Sequence, residues 1–277
     1  MAVTPDGLRA VSASGDQTLK VWDLASGREL RTLAGHSSWV NAVAVTPDGQ
    51  CVVSGSSDHT LKVWKLSNGR KLRTLMGHSA WVRGVAVTPD GRLAISASSD
   101  HTLKVWDLTT GRELRTLTGH TSLVWAVAVT PDSRRAVSAS LDHTLKVWDL
   151  ASGRKQRTLT GHTGYVLAVA VTPDSRRAVS ASFDRTLKVW NLRSGRVLRT
   201  FTGHLERLRA VALTPDGKRA ISASINHTLK LWELASGREL ATFVVVGATL
   251  RCCALSPDGK TILAGDADGV IHLLRLG

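Results

Sequence analysis

The chain has 277 residues, of which 43% are hydrophobic and 21% are charged. This composition is typical of a globular protein and excludes a disordered, collagen-like or coiled-coil chain. Its 36 Lys and Arg against 22 Asp and Glu give a net charge of +14, which makes a polyanion one class of partner to consider.

No run approaches the ~20 apolar residues of a membrane-spanning helix. The first residues lack the basic and apolar segments of a signal peptide. The three cysteines, Cys51, Cys252 and Cys253, cannot form a disulfide framework. We therefore expect a reducing, cytoplasmic location and no membrane association.

One tetrapeptide returns along the whole chain at a fixed step of 42 residues. It first reads Thr4-Pro5-Asp6-Gly7, and it recurs with small variations at 46–49, 88–91, 130–133, 172–175, 214–217 and 256–259. A fixed period of this length indicates a solenoid, a propeller or another repeat array. We interpret residues 1–277 as a single domain of seven units, incomplete at the N-terminus.

The second unit shows the predicted elements in order. Short runs rich in β-branched residues occupy 40–45, 51–56, 60–64 and 71–75, and turn residues separate them. These runs have the period of a strand, and none has the length of a helix. Four strands in ~40 residues predict an all-β fold, a seven-bladed β-propeller with four-stranded antiparallel blades.

Two dipeptides identify the units further. Gly-His opens five of them, from Gly35-His36 to Gly203-His204, and Trp-Asp or a variant closes six, from Trp22-Asp23 to Trp232-Glu233. With the 42-residue spacing, these motifs make the whole chain closely similar to the WD40 repeat family. The seventh unit departs from the pattern, with Val245-Val246 in place of Gly-His and Leu274-Arg275 in place of Trp-Asp.

Seven full units would need 17 more residues than the chain has. Met1 aligns with Val43, inside the first strand of a unit, and the chain ends just after a third strand. In the family an N-terminal segment supplies the outer strand of the last blade. We therefore expect a three-stranded last blade, either in the C-terminal part of a longer polypeptide or in a chain that starts at Met1 and closes less securely.

Each full unit contains a Ser, a His and an Asp, so a catalytic triad must be weighed. The family resemblance implies a structural role instead, in which these side chains and the third-strand Trp form a buried hydrogen-bonded tetrad. An active site has little reason to recur every 42 residues, so we favour the tetrads and expect no enzyme. They comprise His36, Ser54, Asp58, Trp64; His78, Ser96, Asp100, Trp106; His120, Ser138, Asp142, Trp148; and His162, Ser180, Asp184, Trp190.

The sixth unit has Asn226 where the others have Asp, so its network should be weaker. Histidines in different blades cannot share a metal ion, and no phosphate-binding glycine motif is present. We expect no cofactor and no metal site.

Many basic residues follow the repeat, among them Lys20 and its equivalents in the third strand and Arg31 and its equivalents in the outer strand. We interpret this belt as a solvated surface. Arg134-Arg135, Arg176-Arg177 and Lys218-Arg219 add charge beside the Thr-Pro-Asp turns, where a polyanion contact remains open.

Five aromatic residues lie outside the framework positions. The resemblance places them on the top face, around the central channel, together with other residues that differ between units. This surface combines aromatic and aliphatic groups with arginines, a composition typical of an interface centre, although the aromatics could also pack on neighbouring loops. Its residues are Trp39, Asn41, Trp81, Arg83, Leu123, Trp125, Leu141, Tyr165, Phe183, Arg207, Arg209 and Arg251.

The sequence therefore predicts a protein-interaction scaffold or sensor that binds a protein or peptide through the top face. The regular units resemble the WD40 arrays of large bacterial signalling proteins, which implies a possible effector domain upstream. The alternative is a propeller that binds a polyanion such as nucleic acid through its basic surface. A propeller hydrolase is disfavoured because no cluster of acid, base or nucleophile breaks the repeat.

Overall fold

The computed structural model describes residues 1–247 and 249–276, and these residues form strands and turns but no helix. The predicted fold is confirmed. The strands form seven antiparallel sheets, each built by consecutive strands, and the sheets are the blades of a seven-bladed β-propeller. Six blades have four strands, and the last blade has three within the described chain.

Blade one begins with β1 (Ala2–Val3), which has two residues and is the shortest strand in the described chain. Blade one contains β1 (Ala2–Val3), β2 (Arg9–Ala13), β3 (Thr18–Asp23) and β4 (Glu29–Ala34). Blade two contains β5 (Val40–Val45), β6 (Cys51–Ser56), β7 (Leu61–Lys65) and β8 (Lys71–Leu75). Blade three contains β9 (Val82–Val87), β10 (Leu93–Ser98), β11 (Leu103–Asp107) and β12 (Glu113–Leu117). Blade four contains β13 (Val124–Val129), β14 (Arg135–Ser140), β15 (Leu145–Asp149) and β16 (Lys155–Leu159).

The remaining blades repeat this order. Blade five contains β17 (Val166–Val171), β18 (Arg177–Ser182), β19 (Leu187–Asn191) and β20 (Val197–Phe201). Blade six contains β21 (Leu208–Leu213), β22 (Arg219–Ser224), β23 (Thr228–Glu233) and β24 (Glu239–Val244). Blade seven contains β25 (Leu250–Leu255), β26 (Thr261–Asp266) and β27 (Ile271–Arg275).

The hydrophobic core lies between the blades, because a sheet that is apolar on both faces must bury both. Between blades three and four, Ile95 and Leu103 pack with Val124 and Trp148. Equivalent layers join the other neighbouring blades from one to seven. Each buried Leu, Ile or Val contributes about 1.5–3 kcal/mol, so the ring is held together by stacked blade faces.

The Thr-Pro-Asp turns also connect the blades. A Cβ placed on Gly49 would lie 3.5 Å from Pro5 Cδ, so the turn of blade two rests on the proline ring of blade one. The same contact closes the circle, since a Cβ placed on Gly7 of blade one would lie 3.6 Å from Pro257 Cδ of blade seven, and β1 lies against β25. The first strand of each blade is thus innermost and lines the central channel.

The two ends of the ring differ. The Thr-Pro-Asp turns follow the innermost strands and lie on what we call the bottom face. The residues before the innermost strands, and those after each second strand, lie at the opposite end, which is the top face. Antiparallel pairing brings these two groups together, as in the hydrogen bond from Ser57 N to Trp39 O of 2.8 Å.

Candidate protein-binding face

The residues that recur in each repeat form the framework of the blades, and in blades two to five the four expected tetrad residues contact one another. In blade two, His36 Nδ1 lies 2.7 Å from Asp58 Oδ2 and His36 Nε2 lies 2.8 Å from Ser54 Oγ. Trp64 Nε1 donates to the same Ser54 Oγ at 2.8 Å. The polar side chains of Asp58, His36 and Ser54 therefore all have hydrogen-bond partners beside the buried Trp64 indole. The structure brings the residues of blades three, four and five together in the same way.

The electrostatics of the tetrad favour an ionised Asp and a neutral His. Burial raises the pKa of Asp58, but hydrogen bonds from Thr60, His36 and two backbone amides outweigh it and lower the pKa to about 2. Burial lowers the pKa of His36, and Asp58 offsets only part of that change. Ser54 is fully buried. No substrate can reach its hydroxyl without opening the blade, so this Ser, His and Asp do not form a working triad.

Blade six keeps only part of this network. His204 Nε2 lies 2.7 Å from Ser222 Oγ and Trp232 Nε1 donates to that hydroxyl at 2.8 Å. In the described chain, Asn226 makes no hydrogen bond to His204, whose Nδ1 instead lies 3.3 Å from Thr228 Oγ1. Burial and the charge of Lys230 lower the pKa of His204 to about 4.

Blade seven replaces the tetrad altogether. Its equivalent positions hold Val246, Ala264, Asp268 and Leu274, so the polar network is absent there by composition. A different pair occurs nearby, with His272 Nε2 2.9 Å from the buried Asp266 Oδ2. The framework is thus strongest in blades two to five.

Each innermost strand from blade two to blade seven has a β-bulge at its second residue. A bulge leaves one residue without a partner across the ladder and turns its side chain away from the regular pleat. The bulged residues surround the mouth of the channel, and we call them the bulge ring. They are Asn41, Arg83, Trp125, Leu167, Arg209 and Arg251.

The bulge ring joins neighbouring blades. Asn41 Nδ2 donates to Val82 O of the next blade and to Ser57 Oγ, both at 2.9 Å. The Arg83 guanidinium is stacked between two indoles, 4.5 Å from the ring centroid of Trp81 and 4.6 Å from that of Trp125. Its Nε donates to Ser99 Oγ at 3.1 Å. Two cation–π contacts therefore hold a charged side chain rigidly at the channel mouth.

A second group of aromatics lies over blades four to six. Tyr165 contacts Phe183 and His143, with ring centroids 5.4 and 5.5 Å apart. Arg207 stacks on Phe183 at 4.6 Å. These contacts pack the side chains against neighbouring loops, as the sequence allowed, yet Tyr165 remains 43% exposed.

The other predicted face residues vary in exposure. Trp39 lies over Gly15 of blade one and is 60% exposed, and Trp81 is 44% exposed. Leu123, Leu141 and Trp125 are half-buried and Arg251 is exposed. The exposed and half-buried groups all lie at the same end of the blades as the bulge ring. Leu167 differs, because it is buried at the bulge position of blade five.

One structural role escaped the sequence analysis. The outer-strand arginines are more than a solvated belt, because each reaches the turn of the next blade and donates to its backbone carbonyls. Arg31 Nη1 bonds Asn68 O at 3.0 Å and Arg199 Nη1 bonds Ser236 O at 2.7 Å. A Cβ on Gly69 would lie 2.6 Å from Arg31 Cδ. The constant pairing of this Arg with a Gly 38 residues later was the signal available in the sequence.

The bottom face has its own basic region. A groove of about 650 Å³ between blades four and five is lined by Arg135, Arg157, Arg176 and Arg193. Part of this charge is engaged, because Arg135 donates to Ser175 O at 2.7 Å and lies 3.8 Å from Asp132. No cluster of metal-ligating side chains occurs among the described residues. The part of the chain that the structure describes also has no helix able to cross a membrane.

Comparison with known families agrees with the fold. The family described as "WD domain, G-beta repeat" matches seven segments, which are residues 1–23, 27–65, 69–107, 111–149, 153–191, 195–233 and 238–273. Each segment after the first begins with the outer strand of one blade and continues through the first strands of the next blade.

Three curated proteins are similar to this chain over about the length of one repeat, so the matches span a tenth or less of these relatives. A segment of 42 residues is 50% identical to the probable serine/threonine-protein kinase PkwA of Thermomonospora curvata, covering 15% of this chain and 6% of the kinase. A segment of 37 residues is 49% identical to the nuclear distribution protein PAC1 of Cryptococcus neoformans, covering 13% and 8%. The nuclear distribution protein PAC1-2 of Postia placenta is 40% identical over 42 residues, covering 15% and 10%.

Proposed function

The chain belongs to the WD40 repeat family, and from that premise we propose that it is a protein-interaction scaffold or sensor that binds a protein or peptide through its top face. WD40 propellers are in general non-catalytic platforms for protein partners. We place the whole of residues 1–277 in one such domain and propose a cytoplasmic location. The similarity of one repeat-length segment to a protein named as a probable serine/threonine-protein kinase supports an effector domain in the same polypeptide.

The observation that carries this proposal is the exposure of large aromatic side chains on one face. Trp39, Trp81 and Tyr165 are 60%, 44% and 43% exposed, although six other tryptophans occupy framework positions. Exposed aromatics grouped beside arginines have the composition of interface centres. A grouped apolar surface of this kind is unusual on a protein without a partner.

The rigidity of the face also supports a docking role. Arg83 is fixed by Trp81, Trp125 and Ser99, and Arg207 is fixed by Phe183. Side chains that are already ordered lose little conformational entropy when a partner binds. A partner that binds the top face would therefore lose less free energy to side-chain ordering.

The test is a binding series with the protein partner captured on the immobilised chain. Trp81→Ala, Trp125→Ala and Tyr165→Ala should each weaken affinity by at least about 2 kcal/mol, because truncation of central aromatics has the largest cost. Leu114→Ala, on the exposed outer strand of blade three, is the matched control and should have little effect. Binding that tolerates all three top-face changes would exclude the top face.

The arginine-lined groove between blades four and five favours a second candidate, a polyanion such as nucleic acid bound to the bottom face. Counterion release would then make affinity fall steeply and log-linearly with salt, by about 10³–10⁵-fold between about 50 and 200 mM if roughly 6–10 phosphates are contacted. Charge reversal at Arg134, Arg135, Arg176 and Arg177 would abolish that binding, and the top-face tryptophans would be dispensable. Protein docking on the top face predicts only a modest salt dependence.

A further inference from the structure

Three arginines of the bulge ring, Arg83, Arg209 and Arg251, gather at the channel mouth from blades three, six and seven. Arg209 reaches across to the ring of Trp125 in blade four, with its guanidinium carbon 5.9 Å from the ring centroid, and Trp125 also stacks on Arg83. Among the described residues, none of the three arginines forms an ion pair. The guanidinium groups of Arg83 and Arg209 therefore lie close to the indoles of Trp81 and Trp125, and no carboxylate of the described chain is paired with any of the three arginines.

Arg209 is the central member of this group. Its Nε is buried and has no hydrogen-bond partner in the described part of the chain. Burial lowers the pKa of Arg209, and the charges of Arg251 and Arg83 lower it further. A guanidinium nevertheless stays protonated at neutral pH. The folded protein thus holds a half-buried cation without a counterion, an arrangement that destabilises it and is typical of a functional site.

We propose that the bulge ring is an anion site that receives the carboxylate of an Asp or Glu side chain from an acidic peptide segment of the partner. This inference rests on the proposed function, because the same top face supplies the surrounding contacts. A planar guanidinium matches a planar carboxylate through two parallel hydrogen bonds. The indoles of Trp81 and Trp125 fix the plane of Arg83, and the exposed Trp39 and Tyr165 offer apolar contacts to the peptide on either side.

The experiment uses short, fluorescein-labelled peptide pools of random sequence, in which the central residue is fixed as Glu, Gln or phosphoserine. Fluorescence anisotropy reports their binding to the whole chain. We expect the Glu pool to bind at least about tenfold more tightly than the Gln pool, since an unpaired buried charge gains its partner. Arg209→Gln and Arg251→Gln should remove that preference, and Arg134→Gln on the bottom face should leave it unchanged.

A second readout separates a ligand site from a structural role. Arg209→Gln should raise the melting temperature of the free chain by about 2–4 °C, because it removes the unpaired cation. Loss of the Glu preference together with a gain in stability supports the anion site. Equal binding of the Glu and Gln pools, no binding of the Glu pool, or a Glu preference that survives Arg209→Gln would overturn it. A phosphoserine pool that binds more than about tenfold better than Glu would also overturn the carboxylate assignment.

The two proposals fail in different ways. If the pools bind without an acidic preference and Trp81→Ala with Trp125→Ala abolishes binding, the docking face stands and the anion site is wrong. If the affinity for the peptide pools is unchanged by Trp81→Ala with Trp125→Ala, the top-face function is wrong as well.

Discussion

The framework tryptophans and the top-face tryptophans occupy the same ring of blades in opposite surroundings. Trp106 is 1% exposed, donates its indole N–H to Ser96 Oγ at 2.8 Å and packs between two sheets. Trp81 is 44% exposed and its main described partner is the Arg83 guanidinium. Trp106 follows the repeat and is buried and hydrogen-bonded within the fold, whereas Trp81 breaks the repeat and keeps much of its surface exposed.

The arginines divide in the same way. Arg199 follows the repeat and donates to Ser236 O of the next blade. Arg209 breaks the repeat and keeps its buried Nε without a described partner. Substitutions at the framework positions should therefore reduce stability, and substitutions at the face positions should reduce binding with little loss of stability.

The largest expected effect separates the two sets of tryptophans. Trp106→Ala should lower the free energy of unfolding by ~3–5 kcal/mol, because it leaves a cavity and removes a hydrogen bond to a buried hydroxyl. Trp81→Ala should cost ~1 kcal/mol or less, since it loses one cation–π contact at an exposed site. Urea unfolding of both variants checks the difference. Similar losses in the two variants would contradict the division into framework and face.

The next effect concerns the incomplete tetrad of blade six and its response to pH. The pKa of His204 is about 4 in the folded protein, below its usual 6.5. Between these two pH values the unfolded chain binds a proton at His204 and the folded chain does not. The protein is therefore fully stable with respect to this group above pH 6.5 and loses stability as the pH falls towards 4. At pH 5 the loss from this group is ~2 kcal/mol.

Asn226→Asp should shrink that loss, because a carboxylate beside His204 raises the pKa of the imidazole. The comparison is the free energy of unfolding of the parent and the Asn226→Asp chain at pH 7.5 and pH 5. It cancels the titrating groups that both chains share, and the added carboxyl stays ionised across this range when its pKa is lowered as that of Asp58 is. A decline in the variant as steep as in the parent would show that Asn226 does not govern this histidine.

A smaller effect tests the contacts between blades. Arg199→Met keeps most of the aliphatic stem but loses the hydrogen bond to Ser236 O, and it should cost about 0.5–1 kcal/mol. The value is modest because the side chain is exposed. Thermal unfolding checks it, with Arg196→Met in the adjacent turn as the control. An increase in stability would place Arg199 with the bulge-ring arginines instead of the framework.

Much of the fold could be predicted because the sequence repeats every 42 residues without an insertion. A turn or strand recognised in one unit could therefore be placed at the same position in the others. The three-stranded last blade also followed from register, since Leu274 is the third-strand equivalent of Trp64 and lies three residues before the end of the given sequence. The positions of the tetrad residues could be read in the same manner, because Ser, His, Asp and Trp recur together.

The geometry of the top face could not be predicted to the same depth. Sequence indicated which residues differ between blades, but a one-residue bulge decides that Arg83 and Trp125 meet. Contacts such as Arg209 with Trp125 cross from blade six to blade four, and no local pattern reports them. Leu167 lies at an equivalent bulge and is nevertheless buried. These outcomes depend on packing between units that the repeat alone does not specify.

The most direct test of the central claim is site-specific photo-crosslinking in cells that produce the protein. Benzoyl-phenylalanine is placed at Trp39 on the top face, Arg134 on the bottom face and Leu114 on the outer rim, one site per variant. The account predicts a discrete protein adduct from the Trp39 site alone, and its loss when Trp81→Ala and Trp125→Ala are added. Adducts that form from Arg134 or Leu114 but not from Trp39, or an adduct at Trp39 that survives both changes, would contradict a top-face docking function.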